Sequence, residues 1–218
     1  MQRLNCVNVK GVACPYAKTG VKYCHHVAEQ FDIGVYFEAN GHGTAIVKDW
    51  VVDAAEKKLA AAPGASEALA LRRLLGSARL LNQAVGDSTA DAMFVEAVLA
   101  ARGWTVQDWA DMYTDKPSRQ TKVYVKDRTV VKPIADETRL HDDEAGSPSA
   151  LLQGKIDALC AAANGRGFCR PSGTEDVVRV YGEAATEEEA DKLANAIAIA
   201  IHETVNGVGD RPELGKWL

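Results

Sequence analysis

The segment richest in groups that could do chemistry is Arg170-Pro171-Ser172-Gly173-Thr174-Glu175-Asp176-Val177-Val178-Arg179. A guanidinium presents a planar fork of donors that matches phosphate oxygens bidentately, which a lysine cannot do. Arg170 and Arg179 flank a turn in which Pro171 and Gly173 restrict or free the backbone, and Ser172 and Thr174 offer hydroxyls. Such a turn can aim several backbone N–H groups at one point and form an anion nest. These parts suit a dianionic phosphate. In a plain polar hairpin the same arginines would pair with Glu175 and Asp176.

A second concentration lies upstream. Glu38-Ala39-Asn40-Gly41-His42 follows the apolar run FDIGVYF directly. Glu38 can accept hydrogen bonds from neighbouring sugar hydroxyls, and Asn40 can both donate and accept, which suits a hydroxyl or an N-acetyl group. Gly41 and Gly43 permit close backbone approach, and His42 can exchange a proton near neutral pH. The alternative is a strand-to-helix connection in which Asn40 or Gly41 caps the helix. Lys18-Thr19-Gly20-Val21-Lys22 is either a solvated turn or one that presents an ammonium to a phosphate. Cys24-His25-His26 lacks a second ligand pair at metal-binding spacing, so structural or surface roles are expected there.

These loops need elements to hold them. Residues 31–37 are apolar and rich in β-branched and aromatic types, and are expected to form a buried strand. A helix is expected over 44–62, from the spacing of Ile46, Trp50, Val51, Ala54 and Leu59, and Pro63-Gly64 ends it. Helices follow over 66–84 and 89–102, the latter stopped by Gly103, and a short one begins after Thr105. The polar stretch 114–120, TDKPSRQ, separates a helical region from a strand region and is the expected domain boundary. Beyond it KVYVKDRTVV is expected to be a hairpin turning at Lys126-Asp127-Arg128, and 132–149 a loop. SALLQGKIDALCAAA is an amphipathic helix, GRGFCR and VVRVYGEA are strands, and TEEEADKLANAIAIAIHETV is a helix opened by Thr186 and Glu189 as a capping box, with Leu193, Ala194, Ile197 and Ile201 as its buried stripe. The second half is therefore a small α+β unit with one antiparallel sheet and helices on one face.

Composition narrows the function classes. The formal net charge of −5 argues against a general nucleic-acid binder, while local arginines still allow an anionic small substrate. No stretch approaches the run of about 20 apolar residues that spans a bilayer. The N-terminus has no continuous apolar segment of the secretory type. Five widely spaced cysteines, an odd count, fit reduced thiols in the cytoplasm.

The string RPSGTEDVVRVYGEA resembles the phosphate-binding loop of the C-terminal domain of the α-D-phosphohexomutases. Its form GTEDVVRVY is closer to the phosphoacetylglucosamine mutases than to bacterial phosphomannomutases or phosphoglucomutases. The resemblance extends through KTGVK, FDIGVYFEANGHGT and YTDKPSRQ. It implies an α/β chain: residues 1–113 as an N-terminally truncated third domain with a mixed sheet and the sugar-binding loop, and residues 114–218 as the phosphate-binding C-terminal domain. It also implies that Glu38, Ala39, Asn40, Arg170, Pro171, Ser172, Gly173, Thr174 and Arg179 bind substrate, and that Lys22 and His42 lie near the reacting centre.

The implied reaction interconverts N-acetylglucosamine-6-phosphate and N-acetylglucosamine-1-phosphate, for UDP-N-acetylglucosamine synthesis, with a phosphoserine and a bound Mg2+. Loops resembling T-A-S-H-N-P and D-G-D-A-D-R would carry the serine and the metal, and neither string occurs in this sequence. The chain is thus expected to bind hexosamine phosphate but no metal, and to be inactive alone. It would be the product of a shortened gene, a degenerate paralogue, or one chain of a split enzyme whose separate N-terminal chain carries both loops. A non-catalytic sugar-phosphate-binding module is the alternative function, and a glucose or mannose phosphate the alternative substrate. Asn40, where those relatives usually carry serine, speaks for the acetamido sugar. A truncated third domain is expected to expose a sheet edge and apolar surface.

Overall fold

The computed structural model describes residues 12–38 and 41–215, and the chain divides into two compact units, Met1–Tyr113 and Thr114–Leu218. The architecture is mixed α/β, with one antiparallel sheet in each unit.

In the first unit, helix α1 (Val21–Ala28) leads into the antiparallel strands β1 (Ile33–Phe37) and β2 (Gly43–Val47), registered from Ile33 opposite Val47 to Phe37 opposite Gly43. Helices α2 (Asp49–Ala60), α3 (Ala65–Leu80), α4 (Ser88–Arg102) and the short α5 (Val106–Ala110) follow. The sequence suggested a helix from residue 44. Instead Thr44–Val47 is a strand, and the helix waits until Asp49. Two β-branched residues, Thr44 and Val47, are fully or nearly buried there. Thr44 Oγ1 donates to the Asn82 carbonyl at 2.9 Å and the Val47 amide donates to Gln83 Oε1 at 2.7 Å, which fastens β2 to the segment after α3. A side chain at Gly43 would collide with the Phe37 ring and the Tyr36 carbonyl, both 2.3 Å from its Cβ position.

The expectation that 31–37 is buried is corrected as well. Alternate residues of β1 point to opposite faces. Gly34 and Tyr36 turn towards α1, where the Tyr36 hydroxyl and His25 Nδ1 are 3.1 Å apart. Ile33, Val35 and Phe37 occupy the other face and are 47%, 65% and 52% exposed. No described element covers that face. The helix expected over 66–84 ends at Leu80, because Leu81 is extended and the segment after it carries the Asn82 and Gln83 anchors of β2. The ends of the next two follow the sequence: Asp87 caps α4 by accepting from the Thr89 and Ala90 amides, Gly103 closes it at φ 65°, and Thr105 and Asp108 form a reciprocal capping box on α5.

In the second unit, strands β3 (Ser118–Tyr124), β4 (Arg166–Pro171) and β5 (Val177–Glu183) form an antiparallel sheet in the order β3-β5-β4. Helices α6 (Pro148–Ala162) and α7 (Glu187–Thr204) pack on one face. Leu152, Ile156, Ile197 and Ile201 are fully buried between helices and sheet, each contributing about 1.5–3 kcal/mol by leaving water. Gly182 brings α7 down onto β5, since a Cβ there would sit 2.8 Å from the Ala194 amide nitrogen. Ser147 and Thr186 cap α6 and α7.

The hairpin read at Lys126–Arg128 does not form. The partner of β3 is β5, and Val125 bridges to Gly207 instead. Asp127 accepts from the Thr129 amide at 2.8 Å and from its hydroxyl at 2.6 Å. That local capping favours a single 3-10 turn, Arg128–Val130, over a strand. Residues 132–149 form a loop as read, apart from a bridge between Pro133 and Leu140 and the start of α6.

Candidate functional site

The connection between β4 and β5 holds the phosphate-loop residues. Arg170 on β4 is registered opposite Arg179 on β5, and Arg179 is registered opposite Lys122 on β3. Residues opposite one another in a ladder share a face, so Lys122, Arg179 and Arg170 form one cationic row across the sheet, on the face away from α6 and α7. Lys122 holds its proton more tightly than usual, mainly through the Tyr124 hydroxyl beside it, while Arg179 acts in the opposite direction.

The turn itself is pinned from inside. Ser172 is buried, its amide donates to the Val177 carbonyl at 2.9 Å, and the Val177 amide donates to the Glu175 carbonyl at 2.8 Å. The Thr174 amide faces Ser172 Oγ at 3.4 Å. Gly173 and Thr174 are exposed at the tip, and Pro171 ends β4 opposite Val178.

The acids near the turn do not pair as a plain hairpin would require. Asp176 accepts from Arg128 Nη1 at 2.8 Å, and Arg128 Nη2 reaches the Gly173 carbonyl at 3.4 Å. Arg128, which sequence reasoning placed only in a turn, therefore braces the loop. The carboxylate nearest Arg170 is Glu137, with Oε2 3.9 Å from Nε. Arg179 makes no ion pair among the described residues. Lys122 and Arg128 were missed in the sequence because their place beside the loop follows from strand order and from the Asp127 turn. The KDR triplet read as a hairpin tip was the one available signal. A small cleft at the outer edge of β3, lined in part by Asn195, His202 and Arg211, meets the cationic row only at Lys122.

In the first unit, the Gly20 amide donates to Glu38 Oε1 at 3.1 Å, and the Glu38 amide donates to the His42 carbonyl at 2.8 Å. These bonds hold the turn before α1 against the β1–β2 connection. Gly41 closes that connection with φ 88°, its amide donating to the Glu38 carbonyl at 2.9 Å. Glu38, the His42 backbone and Gly20, two residues before Lys22, are thus held in one neighbourhood. Ala39 and Asn40 lie outside the described residues. Lys22, in the first turn of α1, is exposed with Nζ 4.9 Å from the Tyr23 ring centre. His42 is exposed.

His25 and His26 share the Glu29 carboxylate. His26 Nδ1 meets its Oε2 at 3.1 Å, which lowers the proton affinity of that carboxylate, and His25 Nε2 lies 3.5 Å from its Oε1 while His25 Nδ1 faces the Tyr36 hydroxyl. Burial pushes the Cys24 thiol up. Among the described residues no group of three His, Cys, Asp or Glu side chains could hold a metal ion, and no helix is long and apolar enough to cross a membrane. Among the described cysteines, Cys24, Cys160 and Cys169 are free thiols. Chemically, the second unit offers a cationic, hydroxyl-lined turn for a dianion, and the first a carboxylate and imidazole beside a lysine-bearing turn.

Comparison with known proteins bears on both units. Residues 5–104 match phosphoacetylglucosamine mutase AMG1, domain III, and residues 160–200 match the phosphoglucomutase/phosphomannomutase C-terminal domain. The chain is 45% identical to the Arabidopsis thaliana phosphoacetylglucosamine mutase over 193 residues, covering 86% of this chain and 34% of that protein. It is 44% identical to the Homo sapiens enzyme over 198 residues, covering 91% and 35% respectively. The crystal structure of Aspergillus fumigatus N-acetylphosphoglucosamine mutase in complex with GlcNAc-6P and magnesium superposes with a TM-score of 0.78 at 44% identity, over 87% of this chain and 34% of that one. A substrate complex of an N-acetylglucosamine-phosphate mutase of the α-D-phosphohexomutase superfamily gives 0.76 at 39% identity, over 88% and 34%. The chain spans about a third of the length of the relatives it matches.

Proposed function

We propose, from the premise that this chain belongs to the α-D-phosphohexomutase superfamily and corresponds to the C-terminal portion of its phosphoacetylglucosamine mutases, that it supplies the phosphate-gripping and sugar-holding parts of a hexosamine phosphate mutase site. The observation that carries this reading is the cationic row Lys122–Arg179–Arg170 at the mouth of a turn closed by buried Ser172.

In this reading Arg170 and Arg179 fork onto the phosphate that is not being transferred. Ser172 and Thr174 add hydroxyl donors, and the exposed Gly173 lets backbone reach the oxygens. Pro171 fixes the entry to the turn. Glu38, Ala39 and Asn40 hold the sugar, with Glu38 accepting from its hydroxyls. Lys22 and His42 stand near the reacting centre to neutralise charge and move a proton. The product differs from the substrate in which hydroxyl bears phosphate, so an intermediate must reorient between two transfers. A site that grips a phosphate and a pair of hydroxyls can accept both orientations.

The reaction so proposed is interconversion of N-acetylglucosamine-6-phosphate and N-acetylglucosamine-1-phosphate, in the cytoplasm, towards UDP-N-acetylglucosamine. A bound Mg2+ would neutralise charge on the moving phosphoryl group. Among the described residues no group of three His, Cys, Asp or Glu side chains is placed for such an ion; in this reading the ion and the donor serine are supplied by a further segment, on the same polypeptide or on a separate N-terminal chain.

Isothermal calorimetry of the chain with N-acetylglucosamine-1-phosphate, with turnover assayed on the same sample, tests the reading. Binding that Arg179→Ala weakens, without turnover, is the expected result. A folded chain that binds no sugar phosphate overturns it.

A further inference from the structure

Glu137 carries several features that a polar loop residue does not need. It sits in left-handed backbone at φ 59°, a conformation unfavourable for any residue with a side chain of this size. It is held there by a turn in which its amide donates to the Ile134 carbonyl at 3.0 Å and the Ile134 amide donates to the Arg139 carbonyl at 2.9 Å. Its Oε2 is buried and accepts no hydrogen bond, which is costly for a carboxylate unless a charge stands nearby. The charge that stands nearby is Arg170, with Nε 3.9 Å from that oxygen.

The geometry points to Glu137 as a positioning residue for the phosphate loop. Its carboxylate faces the Nε edge of Arg170 and thereby aims the two terminal guanidinium nitrogens away from itself, free for a phosphate dianion. The strained turn is what puts the carboxylate at that edge. An arginine with one edge already oriented loses less side-chain entropy when its fork closes on a ligand. This inference rests on the reading of the β4–β5 turn as a phosphate site and adds the residue that prepares it.

The test uses the full chain labelled with 15N. The Arg170 Nε–H resonance is identified by its loss in Arg170→Lys, and its heteronuclear NOE reports order without any added ligand. In the unaltered chain the value should be that of an ordered group. In Glu137→Gly it should fall to that of an exposed arginine such as Arg72, although thermal stability is unchanged or higher, because glycine relieves the backbone strain. Glu137→Gln, which keeps an acceptor oxygen but not the charge, should fall between. In calorimetry with N-acetylglucosamine-1-phosphate, Glu137→Gly should bind about fivefold more weakly, with Arg179→Ala run alongside. An unchanged Arg170 NOE in Glu137→Gly overturns the inference. So does unchanged affinity in that variant while Arg179→Ala weakens binding, an outcome that leaves the phosphate reading standing. No binding by the unaltered chain overturns both.

Discussion

Arg170 and Arg179 stand directly opposite one another in the β4–β5 ladder, and Lys122 continues the row on β3. Like charges placed opposite in a sheet repel, so Arg179 works against the charge on Lys122, but the Tyr124 hydroxyl beside Lys122 outweighs it and the fold favours the charged lysine. Lys122→Thr keeps a good strand former and removes that charge. Its melting temperature should fall slightly below that of the unaltered chain. Its affinity for a sugar phosphate should fall as well. A melting temperature above that of the unaltered chain at low ionic strength would show that repulsion within the row outweighs the Tyr124 contact.

The two arginines differ in what they leave behind. Arg179 is exposed and makes no ion pair among the described residues, whereas Arg170 faces the half-buried Glu137, whose Oε2 is shielded from water. Arg179→Ala should therefore cut affinity for N-acetylglucosamine-1-phosphate by about tenfold or more with little change in melting temperature. Arg170→Ala should cut affinity and also lower stability, because it leaves a partly buried charge without its partner. The stability loss should shrink when Glu137→Gln is added. Calorimetry and thermal melts on the three variants check this, and additive melting shifts would count against the coupling.

Elements whose limits are set by local chemistry were legible in the sequence. Asp87, Gly103, Thr105, Ser147 and Thr186 each carry a cap that a reader can find from residue type alone. The apolar stripe of α7 was equally plain, since Leu193, Ala194, Ile197 and Ile201 are all buried. Strands β1, β4 and β5 were read as well, but β2 was not. Thr44–Val47 and the helix after it carry apolar residues at one near-helical spacing, and only the partner β1 and the anchors Asn82 and Gln83 make the first part a strand. The residues of the β4–β5 turn were visible as a string. Lys122 and Arg128 were invisible as its neighbours, because register and a side-chain-capped 3-10 turn bring them there.

Gly182 offers a test of the helix–sheet packing beneath the site. A methyl group there would lie 2.8 Å from the Ala194 nitrogen and 3.0 Å from its Cα. Backbone on the central turns of α7 cannot yield as a flexible side chain would. Gly182→Ala should destabilise the second unit by about 1–3 kcal/mol, the usual cost of overpacking, read from urea unfolding followed by far-UV circular dichroism. The β4–β5 turn lies on the same strand, so sugar phosphate affinity should weaken with it. A neutral substitution would mean that α7 does not rest on β5 as closely as described.

Cys169 gives the chain a stability that depends on alkaline pH. Burial on β4 pushes its thiol up to about 12 from an ordinary value of 9.0. The folded state therefore keeps the thiol neutral where the unfolded chain ionises it. Below pH 9.0 both states hold the proton and the contribution is constant. Above it the unfolded state loses its proton first, so stability falls by up to about 1.4 kcal/mol per pH unit until the folded thiol also titrates near 12. Cys160 and Tyr181 are shifted in the same direction by burial and add to the fall. Comparison with Cys169→Ala isolates the contribution of Cys169. At pH 7.5 the alanine variant should be the less stable, by about 1 kcal/mol for the lost buried sulfur. At pH 10 that deficit should shrink by about 1.4 kcal/mol and so vanish or reverse, as judged by urea unfolding at both values. Native Cys169 should also resist iodoacetamide until urea unfolds the chain. A deficit that stays constant from pH 7.5 to 10 would mean that the thiol meets water in the folded chain, and that the sheet beneath the β4–β5 turn opens far more readily than its packing implies.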